Sequence, residues 1–127
     1  MAVTLVLWVN DFDKAVFFYT HQTELFTLDT DVDIGRGMRN ALAFRCKEAP
    51  LRIQLHLATN PAMSALVDRQ GGDYALLALP VEDCMRLYEA LKRKGVQFTD
   101  EPVQLPYGCQ ATMIDPFGNK ICLSQLY

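Results

Sequence analysis

The feature that most constrains this fold is an internal repeat: a strand, a helix and three further strands occur twice along the 127 residues. The repeat is visible in residues as well as in pattern. Leu5…Val9-Asn10-Asp11 aligns with Leu77…Val81-Glu82-Asp83, and Ala43…Ile53-Gln54-Leu55 aligns with Ala111…Ile121-Cys122-Leu123. A chain of this length fits one domain. The repeat therefore predicts a single α+β domain, residues 1–127, made of two βαβββ modules.

The first module is predicted over about residues 1–58. Val3–Val9 is apolar at almost every position, which predicts a strand buried on both faces. Asn10 or Asp11 then caps a helix over 11–22. Strands follow over 25–33 and 40–47, with a glycine-rich turn at Gly35 and Gly37 between them. The segment 51–57 alternates strictly and predicts a half-buried strand with Arg52, Gln54 and His56 on one face.

The second module is predicted over 73–127, after a connector at 59–72. In the connector, Asn60-Pro61 is typical of the start of a short helix. A strand over 74–81 leads into an amphipathic helix over 82–94, for which Gly95 is the predicted C-cap. Segment 96–98 is predicted to be extended and 99–109 to be a loop. The last two strands are predicted over 110–115 and 120–126, joined by a turn at 116–118.

Composition excludes several classes of protein. Half of the residues are hydrophobic and 10% are aromatic, which is enough for a packed core. The net charge of −3 and the lack of a basic run argue against nucleic acid and anionic membranes as partners. No targeting or membrane segment is recognised, so a cytoplasmic location with four free thiols is expected. Asp29, Asp31 and Asp33 are interpreted as a solvated turn region, with a cation site as the alternative.

Three motifs then resemble the vicinal oxygen chelate superfamily, which includes glyoxalases, bleomycin-resistance proteins and extradiol dioxygenases. They span nearly the whole chain in the family's order: Val9-Asn-Asp11…Ala15-Val-Phe-Phe18-Tyr19, Glu89…Gly95-Val-Gln-Phe98, and Pro106-Tyr-Gly108 followed by Asp115-Pro-Phe-Gly-Asn119…Leu123. The family's usual Leu-Gly-Phe after the first helix is replaced by Thr23-Glu-Leu-Phe26. The resemblance implies the glyoxalase/bleomycin resistance/dihydroxybiphenyl dioxygenase fold, a curled mixed sheet that forms a cup, usually in a homodimer.

Metal-dependent members of this superfamily hold a divalent cation at four related positions around the cup. Carried onto this sequence, these positions fall on Thr4, Gln54, Leu76 and Cys122, and the repeat pairs Thr4 with Leu76 and Gln54 with Cys122. Typical ligands are imidazoles and carboxylates. A hydroxyl, an amide, an isobutyl group and one thiol do not replace them. The sequence therefore predicts no metal and no other cofactor.

The remaining candidates each have a structural alternative. Trp8 shares the parity of Thr4, so it can line the cup and stack on a planar ligand, or pack in the core. His56 can be a general base or a ligand contact, or simply an exposed strand residue. Arg52 can offer a fork for an anionic group or simply be solvated. Tyr107 resembles a residue at the family's pocket edge, or is only a turn residue. Cys122 can be a nucleophile activated by His56, or an inert thiol.

These residues predict a metal-independent small-molecule-binding protein, of the sequestration or resistance type, that acts as a homodimer and has no catalytic residues. An apolar or aromatic ligand is expected from the apolar or uncharged groups at Thr4, Val6, Trp8, Leu76 and Cys122. The alternative is a metal-displaced or metal-free lyase, isomerase or dioxygenase relative in which Gln54, His56 and Cys122 act together. A third hypothesis is a structural or regulatory module whose cup is filled by its own side chains.

Overall fold

The predicted repeat of strands and helices is present in the computed structural model, which describes residues 3–29 and 42–127. The chain divides into two compact units, Met1–Gln70 and Gly71–Tyr127. Each unit contains a mixed sheet with a helix-bearing connection, which confirms the predicted α+β class. Within the described ranges, every helix is too short or too polar to pass through a lipid bilayer.

The first unit contains a four-stranded sheet. Its elements are β1 (Val3–Val9), α1 (Phe12–Val16) continued by a π-helix (Phe17–Gln22), β2 (Phe26–Leu28), β3 (Leu42–Phe44), β4 (Leu51–Leu57) and α2 (Pro61–Ser64). The strand order is β1-β4-β3-β2, with β1 and β4 parallel and the other neighbours antiparallel. The connection from β1 to β4 thus carries the helix and the two shorter strands.

The second unit repeats this plan with one additional strand. Its elements are β5 (Leu77–Pro80), α3 (Cys84–Arg93), β6 (Gln97–Phe98), β7 (Val103–Leu105), β8 (Gly108–Ile114) and β9 (Lys120–Leu126). The order is β5-β9-β8-β6, with β5 and β9 parallel, and β7 pairs with the beginning of β8. The predicted loop over 99–109 is therefore wrong in part, because β8 offers a free edge on which residues 103–105 form a short strand.

Each helix begins at a polar capping residue, as was predicted for α1 and α2 but not for α3. The Asp11 carboxylate accepts a hydrogen bond from the Lys14 backbone N–H at 3.0 Å, and Asp83 accepts one from Arg86 at 3.1 Å. The Asn60 side chain caps α2 in the same way, with Pro61 at its first position. After α3, Gly95 adopts a φ of 86°, a left-handed conformation that favours glycine.

The helix predicted over 11–22 is wrong in type after Val16. The backbone N–H of Thr23 donates to the Phe18 carbonyl, five residues earlier, at 2.9 Å, which is the hydrogen bond of a π-helix. The wider turn reduces the angle between successive side chains. Consequently the consecutive aromatics Phe18 and Tyr19 are both buried, with ring centroids 5.0 Å apart and nearly perpendicular planes.

Each sheet buries one face, and β1 corrects a prediction. Leu7 and Val9 are buried, whereas Thr4 and Val6 on the opposite face are exposed and Trp8 is half-buried. The expectation that β1 is buried on both faces is therefore wrong within the first unit: its apolar residues on the second face are left open. The predicted turn at Gly35 and Gly37, the residues Asp31 and Asp33, and parts of the strands predicted over 25–33 and 40–47 lie outside the described residues.

Candidate functional site

One face of the first unit's sheet gathers most of the predicted site residues. Because β1 and β4 are parallel and side chains alternate between faces, three cross-strand pairs share it: Thr4 with Arg52, Val6 with Gln54, and Trp8 with His56. The residues between them on β4, Ile53 and Leu55, are buried on the other face. We call these six residues (Thr4, Val6, Trp8, Arg52, Gln54 and His56) the open face.

The aromatic end of the open face is formed by Trp8 and His56. Their rings make an edge-on contact, with centroids 5.1 Å apart and planes inclined by 68°. The Nε2 atom of His56 is buried and has no hydrogen-bond partner. Burial also lowers the pKa of His56 below its ordinary value of 6.5, so the imidazole is neutral at pH 7. A neutral imidazole presents one donor and one acceptor nitrogen.

The opposite end of the open face carries an ion pair. An Nη of Arg52 donates to the carboxylate of Asp29, which follows β2. Arg52 Nε is buried without a hydrogen-bond partner. The two charges neutralise each other, and both side chains remain 43% exposed, so the pair adds little stability. Of the three acidic residues predicted as a turn region, Asp29 is therefore engaged with Arg52, and the other two lie outside the described residues.

Leu76 and Cys122, the two predicted positions of the second unit, are both half-buried; Cys122 lies in β9, and Leu76 directly precedes β5. The backbone N–H of Leu76 donates to the Lys120 carbonyl at 2.8 Å. Cys122 lies beside Ala78 on one strand and Thr112 on the other. Burial raises the pKa of the Cys122 thiol, although a hydrogen bond with Thr112 opposes this. The thiolate needed for nucleophilic attack is therefore scarce at pH 7.

The other cysteines of the second unit are equally unsuited to nucleophilic chemistry. Cys84 and Cys109 are buried, and the Cys84 thiol donates to the Leu123 carbonyl at 3.5 Å. Burial, reinforced by Cys109, raises the pKa of Cys84 to about 12. These thiols behave as small core side chains.

The donor set at the four family positions does not fit a divalent cation. Thr4 and Gln54 supply neutral oxygens, Leu76 supplies no donor, and Cys122 supplies a mostly protonated thiol. In the described ranges, no three His, Cys, Asp or Glu side chains are grouped so that they could hold a metal ion. No chemical step is therefore derived through a metal.

The remaining candidates are placed at surfaces. Tyr107 is 60% exposed in the turn between β7 and β8, and its carbonyl accepts a hydrogen bond from the Tyr127 N–H at 2.9 Å. Gly108 follows it, because a Cβ there would overlap the Gln125 carbonyl oxygen. His21 stacks on Phe17 along the π-helix, with centroids 5.9 Å apart.

One residue of the site was missed by the sequence analysis. The side-chain amide of Gln70, in the connector, accepts a hydrogen bond from the Trp8 N–H at 2.7 Å and donates to the Trp8 carbonyl at 2.9 Å. These two residues are 62 positions apart. No local pattern in the connector distinguishes Gln70 from an ordinary solvated glutamine, so only the folded backbone identifies it.

Comparison with known families gives one assignment for almost the whole chain. A family model described as the Glyoxalase/Bleomycin resistance protein/Dioxygenase superfamily matches residues 2–123. An uncharacterized protein of Shewanella frigidimarina (strain NCIMB 400) is 26% identical over 124 residues, which cover 98% of this chain and 92% of that protein.

Two solved structures are similar over nearly their full length. The crystal structure of UcmS2 matches with a TM-score of 0.78 and 28% identity, covering 98% of this chain and 96% of that chain. TnmS3, an antibiotic-binding protein from Streptomyces sp. CB03234, matches with a TM-score of 0.74 and 28% identity, covering 100% and 96%. Both similarities confirm the fold that the three sequence motifs predicted.

Proposed function

This chain belongs to the Glyoxalase/Bleomycin resistance protein/Dioxygenase superfamily, and we propose that within it the protein binds a small molecule without a metal. Its role would be sequestration or resistance rather than catalysis. The observation that carries the proposal is the open face of the first unit. There an aromatic pair, an aliphatic side chain and an amide lie side by side on a sheet whose other face is packed.

The chemistry of the open face favours an uncharged aromatic ligand. Trp8 and His56 offer ring surface and ring edges, and such contacts contribute beyond the burial of area alone. Gln54, between them and the ion pair, can donate and accept hydrogen bonds. Because Arg52 and Asp29 neutralise each other, the face has little attraction for a strongly cationic drug such as bleomycin, and the chain's net charge of −3 adds little.

The relatives support binding rather than turnover. TnmS3 is an antibiotic-binding protein that resembles this chain over its whole length. A metal-free enzyme that relied on Cys122 would need a thiolate, and burial raises the pKa of that thiol. We further propose that the protein is a cytoplasmic homodimer. Leu76, Tyr107 and Cys122 remain the proposed ligand contacts of the second unit.

The proposal is tested by titration with acridone and 1-naphthol, two uncharged fused-ring probes, with bleomycin as the cationic comparison. Trp8 is the only tryptophan, so its emission reports directly on the open face. We expect at least one fused-ring probe to quench the Trp8 emission. Calorimetry should give a defined binding stoichiometry for the same probe. Bleomycin should bind more weakly, and chelators should leave the affinity for the probes unchanged.

The residue-level test compares probe binding by W8A and F17A. Binding is measured by calorimetry, because W8A removes the fluorophore. Losing the indole should weaken probe binding roughly tenfold or more, since an aromatic contact and its buried area together exceed about 1.4 kcal/mol. Phe17 is 57% exposed on the π-helix and is absent from the open face, so F17A should bind normally. Probe binding that disappears with a chelator and returns with one equivalent of metal would overturn metal independence.

A further inference from the structure

The strand that carries Trp8 lies at the edge of its sheet. In the described part of the first unit, β1 pairs with β4 on one side and with no strand on the other. The Ala58 N–H donates to the Val9 carbonyl on the β4 side. Because backbone groups of successive strand residues point alternately to the two sides, the N–H and carbonyl of Trp8 point to the outer edge.

The side chain of Gln70 occupies this outer edge. Its Oε1 accepts from the Trp8 N–H at 2.7 Å, and its Nε2 donates to the Trp8 carbonyl at 2.9 Å. A primary amide has the donor and the acceptor that a neighbouring strand would present. Gln70 therefore replaces one residue of a missing strand, at the position of the candidate site's aromatic residue.

The Gln70 amide is itself fixed in place. Its Nε2 also donates to the carbonyl of Val67 at 3.1 Å, and the Val67 side chain is buried. Because the hydrogen bond to Val67 already restrains the Gln70 side chain, that side chain loses little further conformational freedom when it binds Trp8. Its two hydrogen bonds to the strand therefore cost little entropy.

We propose that Gln70 is a positioning residue of the binding site: by fixing both backbone groups of Trp8, it sets the direction of the indole on the open face and its contact with His56. This inference rests on the proposed function for its effect on ligand affinity. Its effect on Trp8 itself does not depend on any ligand. No other residue of the connector contacts Trp8 through its side chain among the described hydrogen bonds.

The test compares Q70A with N60A. Asn60 caps α2 in the same connector through the Met63 N–H at 2.8 Å and makes no hydrogen bond to Trp8, so N60A perturbs the connector without releasing the strand. In the unliganded protein, Q70A should make the Trp8 emission more accessible to acrylamide, and N60A should not. Affinity for acridone should fall roughly fivefold to tenfold in Q70A, the effect of about one lost hydrogen bond.

A second variant changes only one of the two hydrogen bonds between Gln70 and Trp8. Q70E retains an acceptor for the Trp8 N–H but places a carboxylate against the Trp8 carbonyl. At pH 7 its acridone affinity should therefore fall at least as far as that of Q70A. When the pH is lowered, the introduced carboxyl is protonated and regains a donor. The acridone affinity of Q70E, relative to wild type at the same pH, should then recover. Loss of stability without these changes would indicate a purely structural residue.

The outcomes separate the two proposals. If no probe binds the wild type, the proposed function fails, while acrylamide quenching of unliganded Q70A still decides whether Gln70 positions Trp8. If Q70A and N60A change quenching and affinity equally, the positioning role is overturned, because the effect then belongs to the connector as a whole. Quenching that rises only in Q70A and Q70E supports it.

Discussion

The two units of this chain fold on the same plan but differ in whether their buried polar side-chain atoms all have hydrogen-bond partners. In both, a parallel pair of strands begins the sheet order and antiparallel strands complete it. In the first unit, two buried polar atoms, Arg52 Nε and His56 Nε2, have no hydrogen-bond partner. Across residues 71–127, all of which are described, no buried side-chain nitrogen or oxygen is in that condition.

This difference lowers the stability of the first unit at the open face. A buried polar atom without a partner costs about 1–3 kcal/mol. Both atoms belong to the open face, because Arg52 and His56 flank Gln54 on the same face of β4. Buried polar groups without hydrogen-bond partners are among the local irregularities that are expected at functional sites. In the second unit, the buried thiol of Cys84 interacts with the buried thiol of Cys109 inside the core.

The helices differ in the same sense. In the second unit, α3 runs for 10 residues with an Asp N-cap and a glycine terminus. Its counterpart α1 has only 5 residues before it widens into the π-helix. π-Helical segments are frequent at functional sites. In this chain the π-helix also buries Phe18 and Tyr19, so it serves the core of the first unit directly.

The largest expected effect tests whether the two cores are equivalent. Leu55 and Leu123 occupy matching positions of the repeat, and both are fully buried. L55A and L123A should each lower the free energy of unfolding by about 2–5 kcal/mol, because each leaves a cavity in a packed core. Urea denaturation measures both losses.

The control for this pair is L126A, at a position that is 75% exposed. It should change the free energy of unfolding by less than about 0.5 kcal/mol. A cost below about 1 kcal/mol for only one of the two core variants would break the equivalence. It would mean that the corresponding unit tolerates cavities and is loosely packed.

A smaller effect is expected at the helix caps. D11A and D83A each remove the acceptor of one backbone N–H, at Lys14 and Arg86 respectively. Each should cost about 1 kcal/mol, with D83A the larger because a full α-helix depends on its cap. D11N and D83N keep an acceptor and should cost less. Thermal denaturation of the four variants checks the order, and an equal or larger loss in D11A would contradict it.

The parts of this fold that could be predicted from sequence depend on short-range chemistry. Strict alternation located β4, and polar caps located the starts of α1 and α2. The π-helix could not be predicted, because hydrophobic spacing over one turn does not separate it from an α-helix. Strand β7 exists only through pairing with β8. Burial of both faces of β1 was predicted from its apolar residues, whereas Val6 is left 46% exposed.

The candidate site shows the same limit. Parity along each strand grouped Thr4 with Trp8 on β1, and Arg52, Gln54 and His56 on β4, since alternation is a property of the strand itself. The pairing of β1 with β4 then places the two groups on one face. The pairing of Arg52 with Asp29 depends on which strands are neighbours. Gln70 lies 62 residues from Trp8. No sequence pattern predicts that a distant side chain will form the hydrogen bonds that a neighbouring strand would otherwise form.

The last prediction uses pH to separate the open face from the rest of the molecule. Burial lowers the pKa of His56 in the folded state, whereas the unfolded imidazole keeps its ordinary value of 6.5. The unfolded state therefore binds more protons between these two values. The stability associated with a neutral His56 is fully present above pH 6.5 and is lost as the pH falls through the folded pKa.

Replacing His56 by glutamine removes this contribution, so the stability of H56Q relative to wild type should rise as the pH is lowered from 7 to 5. Carboxylates affect both proteins alike and cancel in the difference. H21Q is the matched control, because it removes the chain's other histidine, which lies on the π-helix and outside the open face. A wild-type curve that stays parallel to H56Q would show that His56 gains a partner on protonation, and the aromatic end of the open face would then accommodate a cation after all.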